Sequence, residues 1–216
     1  MGLLELLLPN ACAGCGRYGE LLCATCVSSL RPAGVDADRF AAADPGIVVG
    51  DALELAMAAF VHDGIMRRVL QRLKYGGAGR LAAPLALASA STLKSLLVLA
   101  GPAPLVPVPV HAVRRRQRGY NQAELLAIEL GRLTRSPVLD LLVRHRPTTR
   151  QHGLGRSARL HNLRGALALR SGAQTPPVAI VVDDILTTSA TLEACAETLR
   201  HHGTGRVFGF AVAREV

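Results

Sequence analysis

Tryptophan is absent from the 216 residues, and aromatic side chains make up only 3% of them. A core must therefore be packed from Leu, Val, Ile and Ala, and a nucleic-acid groove lined by rows of stacking rings is disfavoured. No basic residue precedes the short apolar run at 1–8, which itself carries Glu5, so the N-terminus makes a poor secretory signal. Leu6 stands where a myristoylation motif starting at Gly2 needs Ser or Thr. No uninterrupted apolar run reaches membrane-spanning length. The longest, 81–100, is broken by Lys94, Ser89, Ser91, Thr92 and Ser95, which suits a buried or half-buried helix. No membrane insertion is expected, and the chain reads as cytoplasmic.

What is present fits one α/β core with a small appendage: 216 residues with a hydrophobic fraction of 50%. The formal charge of +9 is unevenly placed. Three arginines face seven acids before Ala56, whereas twelve arginines face three acids from His111 to Arg164. A positive field that local suits phosphate groups, on a small ligand or on nucleic acid. Genomic composition also yields arginine-rich, lysine-poor chains, so the placement carries more meaning than the total.

Four of the five cysteines form two Cys-x-x-Cys pairs, Cys12 with Cys15 and Cys23 with Cys26. A two-residue gap lets both thiolates of a knuckle reach one ion, Gly14 and Gly16 permit the tight turn, and two knuckles supply four tetrahedral sulfurs. The spacing predicts a structural zinc ion. Disulfides or a redox pair are disfavoured, for want of an export signal and of a thioredoxin-like strand-helix context. Cys195 stands alone in an apolar helical pattern and reads as core.

Residues 1–30 read as the metal module, 31–50 as a linker and 51–216 as the main domain. The pattern predicts an extended segment at 53–62, a helix at 65–75 and a second helix at about 78–99. A short strand follows at 105–110, running into a loop over 114–119. Asn121 is expected to cap a helix at about 122–135, and 137–144 is a candidate strand. Residues 145–165 read as a long functional loop. Strand 178–182, helix 189–201 and strand 207–212 complete the chain. Such alternation implies a mainly parallel sheet flanked by helices.

The sharpest signal is the run from Val178 to Leu192, Val-Ala-Ile-Val-Val-Asp-Asp-Ile-Leu-Thr-Thr-Ser-Ala-Thr-Leu. A buried strand delivers Asp183 and Asp184 at its C-terminal end, and a hydroxyl-rich loop then opens a helix, where open α/β sheets bind ligands. The two carboxylates can accept hydrogen bonds from vicinal ribose hydroxyls. Backbone amides and hydroxyls of Thr187, Thr188, Ser189, Ala190 and Thr191 can enclose a phosphate at the helix N-terminus. A strand-turn-helix with a simple Thr cap, or a carboxylate pair holding a metal directly, are the competing readings.

This run resembles the signature of type I phosphoribosyltransferases, in which two acids precede a Thr-Thr-Gly-x-Thr loop that holds 5-phosphoribosyl 1-pyrophosphate. Ser189 replaces the Gly of that pattern, so a positive φ there would strain it. Further residues resemble the ComF family: the paired Cys knuckles, Leu73-Lys74-Tyr75-Gly76, Leu105-Val-Pro-Val-Pro-Val-His111, Arg114-Arg-Arg-Gln-Arg-Gly-Tyr-Asn-Gln122, Thr148-Thr-Arg-Gln151, Arg159, Asn162 and Gly165. The resemblance implies a zinc-ribbon-like module joined to a type I phosphoribosyltransferase-like domain, with Lys74 among the ligand-binding residues and Mg2+ accompanying the pyrophosphate. It also implies departure of pyrophosphate from the ribose beneath the 145–165 loop, and an association with DNA uptake. His145, His152 and His161 are candidate bases that read more simply as surface histidines.

Arg114 and Arg118 can be assigned without the analogy, since they precede a helix N-terminus beside the expected crevice and can share the pyrophosphate charge with Mg2+. Tyr120 reads either as a stacking platform or as a packing residue. Two functions share these features. One is transfer of phosphoribose to or from an acceptor. The other is a non-catalytic accessory role in DNA uptake, sensing a ligand or gripping single-stranded DNA alongside an uptake helicase.

Overall fold

The computed structural model describes residues 10–33, 51–75, 78–145, 165–187 and 189–215. In chain order its elements are α1 (Ala24–Ser28), β1 (Leu55–Val61), α2 (Gly64–Tyr75), a 3-10 turn (Gly79–Leu81), α3 (Ala82–Ala100), β2 (Leu105–Pro107), α4 (Ala112–Arg118), α5 (Gln122–Thr134), β3 (Leu142–Arg144), β4 (Leu167–Leu169), β5 (Val178–Leu186), α6 (Ala190–His201) and β6 (Arg206–Arg214).

Four strands pair in the order β1-β6-β5-β2, every pairing parallel, so the expected sheet class is the one observed. Parallel strands covered on both faces need near-continuous apolar sequence, and β5 and β6 supply it. On one face Ile180, Val182, Phe208 and Phe210 pack with Leu93 and Leu96 of α3 and Ala127 and Leu130 of α5. On the other, Ala179, Val181, Val207 and Ala211 meet Cys195 and Leu199 of α6. Cys195 is fully buried, as its apolar setting predicts. The 3-10 turn and α3 are long and apolar enough to cross a membrane by length and composition. Here α3 lies against β1, β6 and α5, a core helix whose far side exposes Leu87, Val98 and Leu99.

Several local expectations need correction. Residues 112–118 are helical rather than loop. His111 Nδ1 caps the start by accepting from Val113 N at 3.3 Å, and Gly119, at φ +85°, ends it in the left-handed region. The run Ala-Val-Arg-Arg-Arg-Gln-Arg between them contains no breaker, so two good caps suffice. The candidate strand at 137–144 divides in two. Val138 bridges Leu105 in parallel at the sheet edge, while β3 pairs antiparallel with β4 in a separate ribbon. β4 itself was not expected from the sequence. Of residues 31–50, only 31–33 are described, and they pair antiparallel with β1 through Pro32 and Phe60. The expected loop at 145–165 lies outside the described residues, apart from His145 and Gly165.

Candidate functional site

β5 continues beyond the expected 178–182 to Leu186, so Asp183 and Asp184 sit within its last ordered pairs. Side chains alternate along a strand, and the two acids diverge accordingly. Asp184 is 3% exposed, and its carboxylate lies 2.6 Å from Lys74 Nζ in the last turn of α2. Asp183 is half-buried, and one of its oxygens accepts from the Asp184 amide at 2.8 Å. Burial, and after it the Asp184 charge, hold Asp183 well above the usual carboxylate range, with Lys74 acting in the opposite sense.

Arg144, at the end of β3, stands near Asp183. Burial lowers its guanidinium, and the neighbouring Arg114 charge lowers it further, while Asp183 opposes both. Arg114 is thus close enough for Arg144 to feel its charge. Arg118 instead donates to Gln122 Oε1 and stacks 5.3 Å over the Tyr75 ring, on the α2 side of α4. Tyr120 takes the packing role: its hydroxyl donates to the Leu73 carbonyl, and its ring stands against Gly79.

Thr187 is exposed just past β5, Thr188 lies outside the described residues, and Ser189 begins α6. Ser189 adopts φ +54°, the left-handed region in which a Ser in place of the loop glycine is strained, and is 4% exposed. Its side chain makes no cap to α6, in contrast to Asn121, which accepts from Ala123 N at 3.0 Å at the head of α5. The Ser189 side chain thus does not cap the first-turn amides of α6, which open the helix just beyond the end of β5. Glu193 in that first turn is drawn aside, its Oε1 accepting from Ala52 N at 2.7 Å.

Sequence reasoning missed Arg144 and His62. His62 follows β1 at the same sheet edge, 3.6 Å from Glu215, and burial holds it below its ordinary value, with Lys74 and Asp184 among the charges it feels. Only the strand order, which places β1 two strands from β5, brings it there.

At the N-terminus the Sγ atoms of Cys12, Cys15, Cys23 and Cys26 lie within 4.8 Å of one another. The Cys12–Cys23 and Cys15–Cys23 separations are 3.6 and 3.8 Å. Thiolates about 2.3 Å from a tetrahedral ion stand about 3.8 Å apart, so this group could hold a metal. Burial raises the Cys12 thiol, yet the amides of Cys23, Cys15 and Gly14 outweigh it and bring it down to about 6. Burial and the neighbouring thiols push Cys26 up to about 12.

The module docks on α2. Arg68 Nε donates to the Gly14 carbonyl at 3.1 Å, and Arg72 Nη1 to the Cys12 carbonyl at 3.4 Å. Between the first knuckle and α2 runs a groove of about 640 Å³, lined by Gly14, Cys15, Gly16, Arg68, Arg72 and Tyr75 among others.

No family model matches the chain. It is 35% identical over 116 residues to competence protein F of Haemophilus influenzae, covering 52% of this chain and 51% of that protein. It is 32% identical over 111 residues to DNA utilization protein YhgH of Escherichia coli K12, and equally so to its Salmonella typhimurium counterpart, each covering 51% of this chain and 48% of the relative. The matches span about half the length of the curated relatives.

Proposed function

We propose that the chain binds 5-phosphoribosyl 1-pyrophosphate or a related ribose phosphate at the C-terminal edge of β5, and acts there in the cytoplasm as a phosphoribosyltransferase. One observation carries the reading: a buried central strand bears Asp183 and Asp184 near its C-terminal end and leads within a few residues, through a left-handed Ser189, to a helix N-terminus that Ser189 does not cap. That spacing matches a ligand with a diol at one end and a phosphate at the other.

In this reading Asp183 accepts from the ribose hydroxyls, while Asp184 is held by Lys74 until ligand arrives. The amides of Ala190 and Thr191, with the Thr187, Thr188 and Thr191 hydroxyls, take the 5-phosphate. Arg144, whose charge is felt with that of Asp183, and Arg114 beside it would share the pyrophosphate charge. Mg2+ accompanying the pyrophosphate would supply charge neutralisation, and the Asp183 and Asp184 oxygens are donors of the hard type it prefers. The four cysteines hold a structural Zn2+, which requires no open coordination position.

The expected result of a thermal-shift screen is a raised Tm with 5-phosphoribosyl 1-pyrophosphate and Mg2+ and little change with free ribose. Stabilisation by oligonucleotides alone would overturn the assignment. It would favour the second reading, a non-catalytic role in DNA uptake with single-stranded DNA and an uptake helicase as partners. That reading draws on the relatives' names and on the groove flanked by Arg68 and Arg72, where the exposed Tyr75 lies beneath Arg118.

A further inference from the structure

The cysteine cluster and the sheet-edge crevice both bear on one element, α2. The knuckles share one apolar core with this helix, in which Cys12, Leu22, Cys23, Cys26 and Leu30 pack with Met66, Val69, Leu70 and Leu73. Two guanidinium groups of α2 hold carbonyls of the first knuckle. Gly14 leaves no slack between them: a methyl there would stand 2.7 Å from Cys26 Sγ and 2.9 Å from Ile65 Cγ2. In the last turn of the same helix, next to Arg72, Lys74 grips Asp184 and the Leu73 carbonyl takes the Tyr120 hydroxyl. A helix of twelve residues has little stability of its own. Its position depends on what packs against each side.

We infer that metal occupancy of the cysteine cluster and ligand occupancy of the β5 crevice are coupled through α2. The inference rests on the crevice reading given above. With the four sulfurs drawn to one ion, the knuckle carbonyls are fixed, Arg68 and Arg72 hold α2 against them, and Lys74 is presented at Asp184. Without the ion, the knuckles separate, the core they share with α2 loosens, and the ordering of Lys74 must be supplied by the ligand's own binding energy. By linkage the effect is reciprocal: whatever factor zinc contributes to ligand affinity, ligand contributes to zinc affinity.

The test measures both arms on the full chain. Calorimetry gives the affinity for 5-phosphoribosyl 1-pyrophosphate with Mg2+ on zinc-loaded and chelator-stripped protein. Competition with a chromogenic chelator gives zinc affinity with and without that ligand. The expected result is an equal factor in both arms, at about fivefold or more. Because stripped protein or Cys15→Ser can lose structure widely, the deciding variant is Arg68→Ala with Arg72→Ala, which keeps all four thiols. It should retain one zinc per chain while the factor falls toward one. Amide exchange over 64–75 should quicken on zinc removal in the parent protein. Ligand binding that is indifferent to zinc would overturn the coupling and leave the crevice reading standing. Absence of ligand binding to zinc-loaded protein would overturn both.

Discussion

Lys74 Nζ lies 2.6 Å from the Asp184 carboxylate, tying the last turn of α2 to the end of β5 with both side chains largely removed from water. Neither charge is easily left alone in that setting. Lys74→Met should therefore destabilise the protein by about 3 kcal/mol, because a buried carboxylate loses its counter-ion. Adding Asp184→Asn should recover much of the loss. Urea denaturation of the two single variants and the double variant measures the coupling, and additive effects would contradict a direct pair.

Ser189 holds φ +54° without capping α6. Gly adopts that region without the Cβ clash, so Ser189→Gly should stabilise the protein by about 1 kcal/mol, a net of relieved strain and greater unfolded-chain entropy. In a chain of this size that raises Tm by about 2–4 °C. Ligand affinity should hold or improve; an unchanged or lowered Tm would contradict a net gain from relieved strain.

Asp183 gives a pH dependence of definite sign. Its carboxyl keeps its proton to higher pH in the fold than in the unfolded chain, because burial and Asp184 disfavour the charge. The native state therefore binds more protons between the unfolded and folded values, and stability falls as pH rises through that window. Asp183→Asn should melt close to the parent at pH 4 and above it at pH 8. A Tm difference that does not vary with pH would contradict this.

Gly14→Ala tests the cluster's tightness. A methyl placed 2.7 Å from Cys26 Sγ must displace that sulfur or the knuckle. Zinc affinity measured by chelator competition should fall by about tenfold or more, on the scale of other perturbations just outside a metal's ligands. Full affinity would mean that the knuckle can shift freely.

Much of this was legible in the sequence because the signals were local. The continuous apolar run of β5, the Asn121 cap, the Cys-x-x-Cys spacing and the Ser in place of Gly each report a nearby backbone requirement. What escaped depended on distant partners. α4 looked like loop because its caps, His111 and Gly119, bracket an arginine run with no apolar face. The 137–144 segment has one apolar pattern but serves two pairings, with β2 and with β4. Arg118 and Arg114 are equivalent in sequence, yet helical turning sends one to Tyr75 and the other toward Arg144. His62 joins the edge only through strand order.

The most direct measurement is a calorimetric titration of 5-phosphoribosyl 1-pyrophosphate with Mg2+ into zinc-loaded protein, its Asp183→Asn variant and its Thr191→Val variant. The account predicts binding to the parent with one ligand per chain. It predicts at least about tenfold weaker binding to each variant, the loss of one charge-assisted hydrogen bond, even where Asp183→Asn is the more stable protein. Equal affinity across the three, or no binding to the parent, would contradict it.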